Sequence, residues 1–240
     1  WYNTLGIIAR YQGNYRLALQ RFQKSLAIRR TKLGTSHKDT AHTLSNTALM
    51  MAKLGYYREA EPLYRLALET NGKLLGPLHA HTVSTLSNLG LLNMDLGDFA
   101  QAQSMLEDAL ARTRKTDRKK RSINLATSIS NLAILYVTTF EFSKAEPLLN
   151  EALAIDEELH GKEHPNLATT LNNLGELHRA AGRYPEAEAA LLRALAIDRK
   201  FAGPNHPEHA STLVHIAELY ADTGRLNLAQ EHVAAALAIV

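Results

Sequence analysis

Eleven histidines are the first residues of this 240-residue chain that could do chemistry, and two close pairs, His79 with His81 and His206 with His209, suggest a metal site. The recurring histidines argue otherwise. They follow a glycine by three residues at Gly34 and His37, Gly76 and His79, Gly161 and His164, and Gly203 and His206, with Pro165 and Pro207 next in two of them. Packed helices lie about 8 to 10 Å apart, too far to share an ion whose ligand bonds are near 2 Å. These histidines are therefore expected to cap helices or pack connectors, and neither a metal nor any other cofactor is expected. Phosphate-binding loops, a nucleophile elbow and dinucleotide fingerprints are absent, and there is no cysteine. The carboxylates of Glu59, Glu61, Glu146, Glu186 and Glu188 recur with a fixed spacing and read as solvent-side helix residues or partners of neighbouring helix charges. No residue set suits catalysis, and the chain is not expected to be an enzyme.

Binding chemistry is better represented. Thr4, Asn46, Asn88, Asn131, Asn173 and His215 form a series at near-constant intervals. An asparagine amide both donates and accepts, so a row of them can pair with the backbone of an extended peptide whatever its sequence. The same amides could instead bond to a neighbouring helix end and hold the stack together. Three residues after each ladder position stand Ile7, Leu49, Leu91, Ile134, Glu176 and Glu218. This second series changes from apolar to acidic along the chain; Asp222 adds to the acidic end, Arg179 is its nearest counter-charge, and Lys53 and Arg10 are the basic residues in comparable places. Apolar contact with a charged end suits a peptide or protein segment.

A six-fold internal repeat positions these residues. Gly, an aromatic two residues on (Leu226 in the last copy), Ala five on and Ala-Leu twelve and thirteen on (Ser25 and Leu26 in the first) recur from Gly13, Gly55, Gly97, Phe140, Gly182 and Gly224, at intervals of 42, 42, 43, 42 and 42. Seven residues before each of these stands a small residue: Gly6, Ala48, Gly90, Ala133, Gly175 or Ala217. Each unit therefore reads as helix, turn, helix, with small residues where the helices approach closely. Gly suits a turn at positive φ. Phe140 in its place predicts a hairpin that is tighter, shifted or strained. The fold class is all-α: a right-handed superhelical solenoid of six antiparallel helix pairs, in units of about 1–36, 37–78, 79–120, 121–163, 164–205 and 206–240. In such an array the first helices line the concave face, which makes the asparagines a groove ladder.

The spacing of small, Gly, aromatic, Ala, large apolar and Ala residues, carried by runs such as "TLNNLGELHRAAGRYPEAEAALLRALAIDRKFAGPNHP", resembles the 42-residue tetratricopeptide repeats of kinesin light chains and their bacterial and nephrocystin-like relatives. The resemblance covers the whole chain, except that "TRKTDRKKRS" replaces the regular connector after Leu110. It implies a peptide-binding scaffold whose asparagines, here Asn46, Asn88, Asn131 and Asn173, grip ligand backbone. The basic groove residues behind the family's preference for acidic cargo are not reproduced, nor is the carboxylate clamp of chaperone-binding relatives, so neither preference is carried over.

Composition agrees with a folded helical protein: 45% apolar and 21% charged residues, with seven prolines and 13 glycines. No apolar run reaches the roughly 20 residues needed to span a bilayer and no signal-peptide pattern opens the chain, so no membrane association and a cytoplasmic location are expected. Net charge is +3, with cations crowded between Arg112 and Arg121. That run lacks the interleaved aromatics of a base-stacking surface and reads as a solvated connector, so nucleic acid is not an expected partner. Trp1 enters in the middle of a first helix and "AAALAIV" closes the chain without a polar capping helix. A larger parent protein, an adjoining helix or self-association through the uncapped C-terminal end would cover that apolar face. An attached effector, such as a protease or nucleotide-driven switch, on which the repeats pack is the alternative to a peptide-binding role.

Overall fold

A computed structural model describes residues 1–117, 121–201 and 207–239, with the side chains of 207 and 208 left aside. The described residues form twelve helices: α1 (Tyr2–Tyr11), α2 (Tyr15–Leu33), α3 (Lys38–Lys53), α4 (Tyr57–Leu75), α5 (Ala80–Asp95), α6 (Phe99–Thr116), α7 (Ile123–Thr138), α8 (Phe142–His160), α9 (Pro165–Ala180), α10 (Tyr184–Phe201), α11 (Pro207–Asp222) and α12 (Leu226–Leu237). The chain divides into two units, Trp1–Arg118 with α1 to α6 and Lys119–Val240 with α7 to α12. Each unit stacks three antiparallel hairpins: α1 with α2, α3 with α4 and α5 with α6 in the first, and α7 with α8, α9 with α10 and α11 with α12 in the second.

Within a unit, the second helix of each hairpin packs on the first helix of the next. Consecutive first helices also touch, α3 with α5 in one unit and α7 with α9 and α9 with α11 in the other, while no comparably extensive contact joins consecutive second helices. First helices are thus the inner layer of each unit, and their exposed faces line its concave side.

The hairpins close because a large residue seats on a small one. Phe22 is 1% exposed, and a Cβ at Gly6 would lie 2.7 Å from its ring; Leu191, fully buried, would meet a Cβ at Gly175 at 2.5 Å. Ala48 and Tyr64 are both buried at the corresponding positions of the second hairpin. The turn after each first helix uses a left-handed residue. Glycine fills that role at five of the six turns, and Phe140, at φ 60°, is the one non-glycine residue with positive φ among the described residues. Its ring is 76% exposed and meets Phe142 edge to face at 6.0 Å, so the strain expected at this hairpin is present.

The connector histidines cap helices. Nδ1 of His37, His79 and His164 accepts from the backbone N–H of Asp39, His81 and Asn166, at 3.1, 3.2 and 3.2 Å, which satisfies donors left open at the start of α3, α5 and α9. His206 lies outside the described residues. Thr40 and Thr82 add a second latch, donating to the carbonyls of Gly34 and Gly76 at 2.8 Å each.

Candidate functional site

The ladder residues sit one per first helix. In the first unit Asn46 on α3 and Asn88 on α5 are half-buried, and neither side-chain amide has a hydrogen-bond partner among the described residues. In the second unit Asn131 on α7, Asn173 on α9 and His215 on α11 are likewise half-buried. Asn173 Nδ2 and His215 Nδ1 are shielded from solvent and unpaired among the described residues. Leu49 and Leu91 in the first unit and Ile134 in the second are half-buried apolar neighbours, one helical turn along. Lys53, at the end of α3, is exposed.

At two ladder positions, Asn46 and Asn173, the residue one step before holds the stack. Asn172 Nδ2 on α9 donates to Thr212 Oγ1 on α11 at 2.7 Å, and Ser45 and Thr85 hydroxyls are 3.3 Å apart between α3 and α5. These contacts continue into a buried polar seam that the sequence reading missed. Arg29 donates to Thr43 Oγ1 at 2.6 Å and Asn71 to Thr85 Oγ1 at 3.5 Å in the first unit. In the second, Thr170 donates to Asp156 Oδ2 at 3.1 Å and Thr212 to Asp198 Oδ2 at 2.6 Å. Asp156 and Asp198 are 4% and 3% exposed. Burial pushes the Asp156 carboxyl above its usual range, partly offset by the Thr170 bond. The signal was present: Thr43, Thr85, Ser128, Thr170 and Thr212 keep the repeat interval, but a series of hydroxyls reads as helix surface until a partner 14 residues upstream is known.

The acidic end predicted for the groove assembles in the second unit. The Arg179 guanidinium donates from Nε and Nη2 to Glu176 at 2.8 and 2.9 Å and from Nη1 to Asp222 at 2.5 Å, and it lies 3.6 Å from Glu218. The hydrogen bond to Glu176 first, and then that to Asp222, hold Arg179 above the ordinary arginine range. One cation thus faces three carboxylates.

On the second-helix side, Arg183 pairs with Glu146 at 2.9 and 3.0 Å and Arg225 with Glu188 at 2.8 and 3.0 Å. Of the two readings of these carboxylates, Glu146 and Glu188 follow the second, pairing with charges of the neighbouring hairpin, whereas Glu61 pairs within its helix with Arg65 at 2.7 Å. In the basic run, Arg112 bonds to Asp108 and to the Pro77 carbonyl and Arg121 to Glu158, while Arg118, Lys119 and Lys120 fall outside the described residues. The described residues contain no group of three or more metal-ligating side chains able to hold an ion and no helix long and apolar enough to cross a membrane.

An apolar groove of about 590 Å³ on the last hairpin is lined by Val214, Ala221, Leu226, Val233 and Leu237 among others. Val233 and Leu237 occupy the positions that Leu191 and Leu195 fill in the preceding hairpin, where α11 buries them.

Antiparallel hairpins stacked at a 42-residue interval, with a polar ladder on their inner helices, define a helical-repeat protein. The tetratricopeptide repeat model matches residues 1–73, 39–115, 81–158, 124–200 and 167–240, and the chain belongs to this family. No curated protein matches it. Among solved structures, BtubC (BKLC) from P. vanneervenii is similar at 24% identity and TM-score 0.66, over 96% of this chain and 89% of that one. The nearly identical TPR-like repeats of a Podosopora anserina protein described as a kinesin light chain are 24% identical with TM-score 0.62, over 85% and 96%. A Rap protein complexed with Competence and Sporulation Factor is 18% identical with TM-score 0.81, over 96% and 61%. These three likenesses show the fold.

Proposed function

We propose that the protein is a non-catalytic scaffold that captures an extended peptide or protein segment on the concave face of its first helices. Asn46, Asn88, Asn131 and Asn173 address the ligand backbone, with Leu49, Leu91 and Ile134 making apolar contact. One observation carries this reading: the inter-helix bonds that the ladder asparagines could have made are made by their neighbours Ser45 and Asn172, while the amides of Asn46 and Asn88 stay unpaired among the described residues. Half-buried amides relieved of a structural role suit a backbone that supplies both donors and acceptors. The 42-residue period supports placement with the kinesin-light-chain-like repeats, and that placement in turn supports a cytoplasmic location. A peptide-display selection against the 240-residue chain tests the reading. Enrichment of a shared motif, lost in the Asn46→Ala/Asn88→Ala variant that circular dichroism shows to be folded, is expected; enrichment indifferent to both changes removes the ladder from the site.

The apolar groove on α11 and α12 supports a second mode, in which an apolar helix docks there from an effector or a second copy. Sedimentation velocity of the chain beside Val233→Lys checks the second copy: association that the lysine abolishes is expected, and a monomer at all concentrations counts against it.

A further inference from the structure

We infer that the concave face of the second unit selects peptides that pair an apolar residue with an arginine or lysine, and discriminates against acidic ones. The inference rests on the peptide-binding reading and names its ligand class for this unit. Arg179 is the cation of the Glu176, Glu218 and Asp222 cluster, and its Nε, Nη1 and Nη2 are all directed at those carboxylates, at 2.5 to 3.6 Å. An incoming ligand carboxylate would have to displace one of them, against the repulsion of the rest. Three carboxylates around one guanidinium leave two negative charges uncompensated, and the outer two remain open: the Glu218 and Asp222 side chains are 47% and 40% exposed, against 22% for Arg179. Glu218 has the longest contact to the arginine, so it can turn to an arriving cation at least cost.

The cluster adjoins the ladder. Glu176 and Glu218 stand one helical turn after Asn173 and His215, whose Nδ2 and Nδ1 atoms are buried without a partner among the described residues. Polar groups in that state gain more from a ligand than groups already bonded within the fold. One helix earlier in the inner layer, Ile134 holds the position that Glu176 and Glu218 hold on α9 and α11, and α7 and α9 are in contact. Packed helices lie about 8 to 10 Å apart and an extended chain advances about 3.3 to 3.6 Å per residue. An apolar residue at Ile134 and a cation at Glu218, two helices further along the inner layer, are therefore about five residues apart in the ligand. The first unit has Leu49 and Leu91 at these positions and imposes no such charge preference there.

The test uses the 240-residue chain and three displayed decapeptide pools, matched in apolar content and carrying Lys and Arg, Asp and Glu, or uncharged polar residues. The basic pool should be enriched about tenfold over the uncharged one and the acidic pool depleted, a difference of about 1.4 kcal/mol. Glu218→Gln/Asp222→Asn should erase the preference, Glu218→Lys should shift it toward the acidic pool, and Glu186→Gln/Glu231→Gln, which removes the same charge elsewhere, should leave it intact. Circular dichroism checks that each variant is folded; should the double variant not fold, the Glu218→Lys comparison decides. Equal enrichment of all pools, lost on Asn173→Ala, overturns the charge inference and leaves peptide binding standing. No enrichment of any pool overturns peptide binding itself. A basic preference that survives Glu218→Gln/Asp222→Asn places the selectivity elsewhere and also overturns the inference.

Discussion

Thr170 donates its hydroxyl proton to Asp156 across the α8–α9 seam at 3.1 Å, with the carboxylate almost wholly buried. Thr212 repeats the bond to Asp198 on the next hairpin and in turn accepts from Asn172, so a short chain of hydrogen bonds ties three helices together. Burial raises the Asp156 carboxyl, so at neutral pH its charged form is a cost that the Thr170 bond offsets in part. The first unit places neutral Asn71 at the equivalent position, opposite Thr85. Asp156→Asn is therefore expected to leave stability unchanged or raise it by up to about 1 kcal/mol, since an amide oxygen still accepts from Thr170. Thr170→Val, which strands the carboxylate, is expected to cost about 1–3 kcal/mol. Urea denaturation of both variants at pH 7 checks this pair; a larger loss for Asp156→Asn than for Thr170→Val would refute it.

Phe140 carries a conformation that favours glycine. A non-glycine residue in the left-handed region costs roughly 1–2 kcal/mol, and the mostly exposed ring recovers part of this through its edge contact with Phe142. Phe140→Gly is expected to stabilise the second unit by about 1 kcal/mol after the extra chain entropy of glycine is subtracted. Thermal melting of the two forms reads the result directly. A lower midpoint for the glycine variant would mean that the aromatic contact outweighs the strain.

The hairpins were legible because their signal is steric and periodic. Gly6 under Phe22 and Gly175 under Leu191 admit few alternatives, and the 42-residue interval exposes them. The histidines at positions 37, 79 and 164 were readable as caps because they fall where each new helix begins. The partners of buried polar groups were less readable. Thr170 is periodic, but nothing local distinguishes a threonine bonded to Asp156 from one facing water. Glu146 and Glu188 were readable as solvent-side residues or as partners of neighbouring charges, but not which arginines they meet, because those lie 37 residues away. At the groove, the sequence located Arg179 and its acidic neighbours but not that the guanidinium is committed to all three, since that depends on the approach of α9 to α11.

Acidification is expected to loosen the seam between α3 and α5. The His42 and His81 rings lie 4.5 Å apart between centroids, tilted by 35°, and burial pushes both below the ordinary histidine value of 6.5, His42 further by the charge of His81 and Arg29 and His81 by that of His79. With folded-state values below the unfolded one, the unfolded chain binds protons first as pH falls. Stability is thus level above about pH 7 and declines through about pH 6 until the folded histidines also titrate. The thermal midpoint should fall from about pH 7.5 to about pH 5, and His42→Gln/His81→Gln should flatten that fall. Parallel pH profiles for the two proteins would exclude the ring pair as its source.

Removing Arg179 separates its role in the fold from that of its carboxylate neighbours. Its bond to Asp222 joins α9 to α11, its bond to Glu176 lies within α9, and the side chain is less exposed than the carboxylates it holds. Arg179→Gln leaves three carboxylates close together without a counter-charge. An ion pair at a solvated site is worth roughly 0.2–1 kcal/mol, so losing contacts to three carboxylates should cost about 1–2 kcal/mol, allowing for their partial exposure. Glu218→Gln in the same chain, which removes one repelling charge, should recover part of the loss. Adding salt should act in the same direction, because screening weakens like-charge repulsion between exposed groups. Denaturant midpoints for Arg179→Gln, Glu218→Gln and the double variant form a mutant cycle that reads the coupling between the two residues. A coupling near zero would mean that the carboxylates are held apart by water and that Arg179 contributes by packing its stem. A double variant more stable than Arg179→Gln alone would establish that the inner face of the second unit carries excess negative charge in the absence of a ligand.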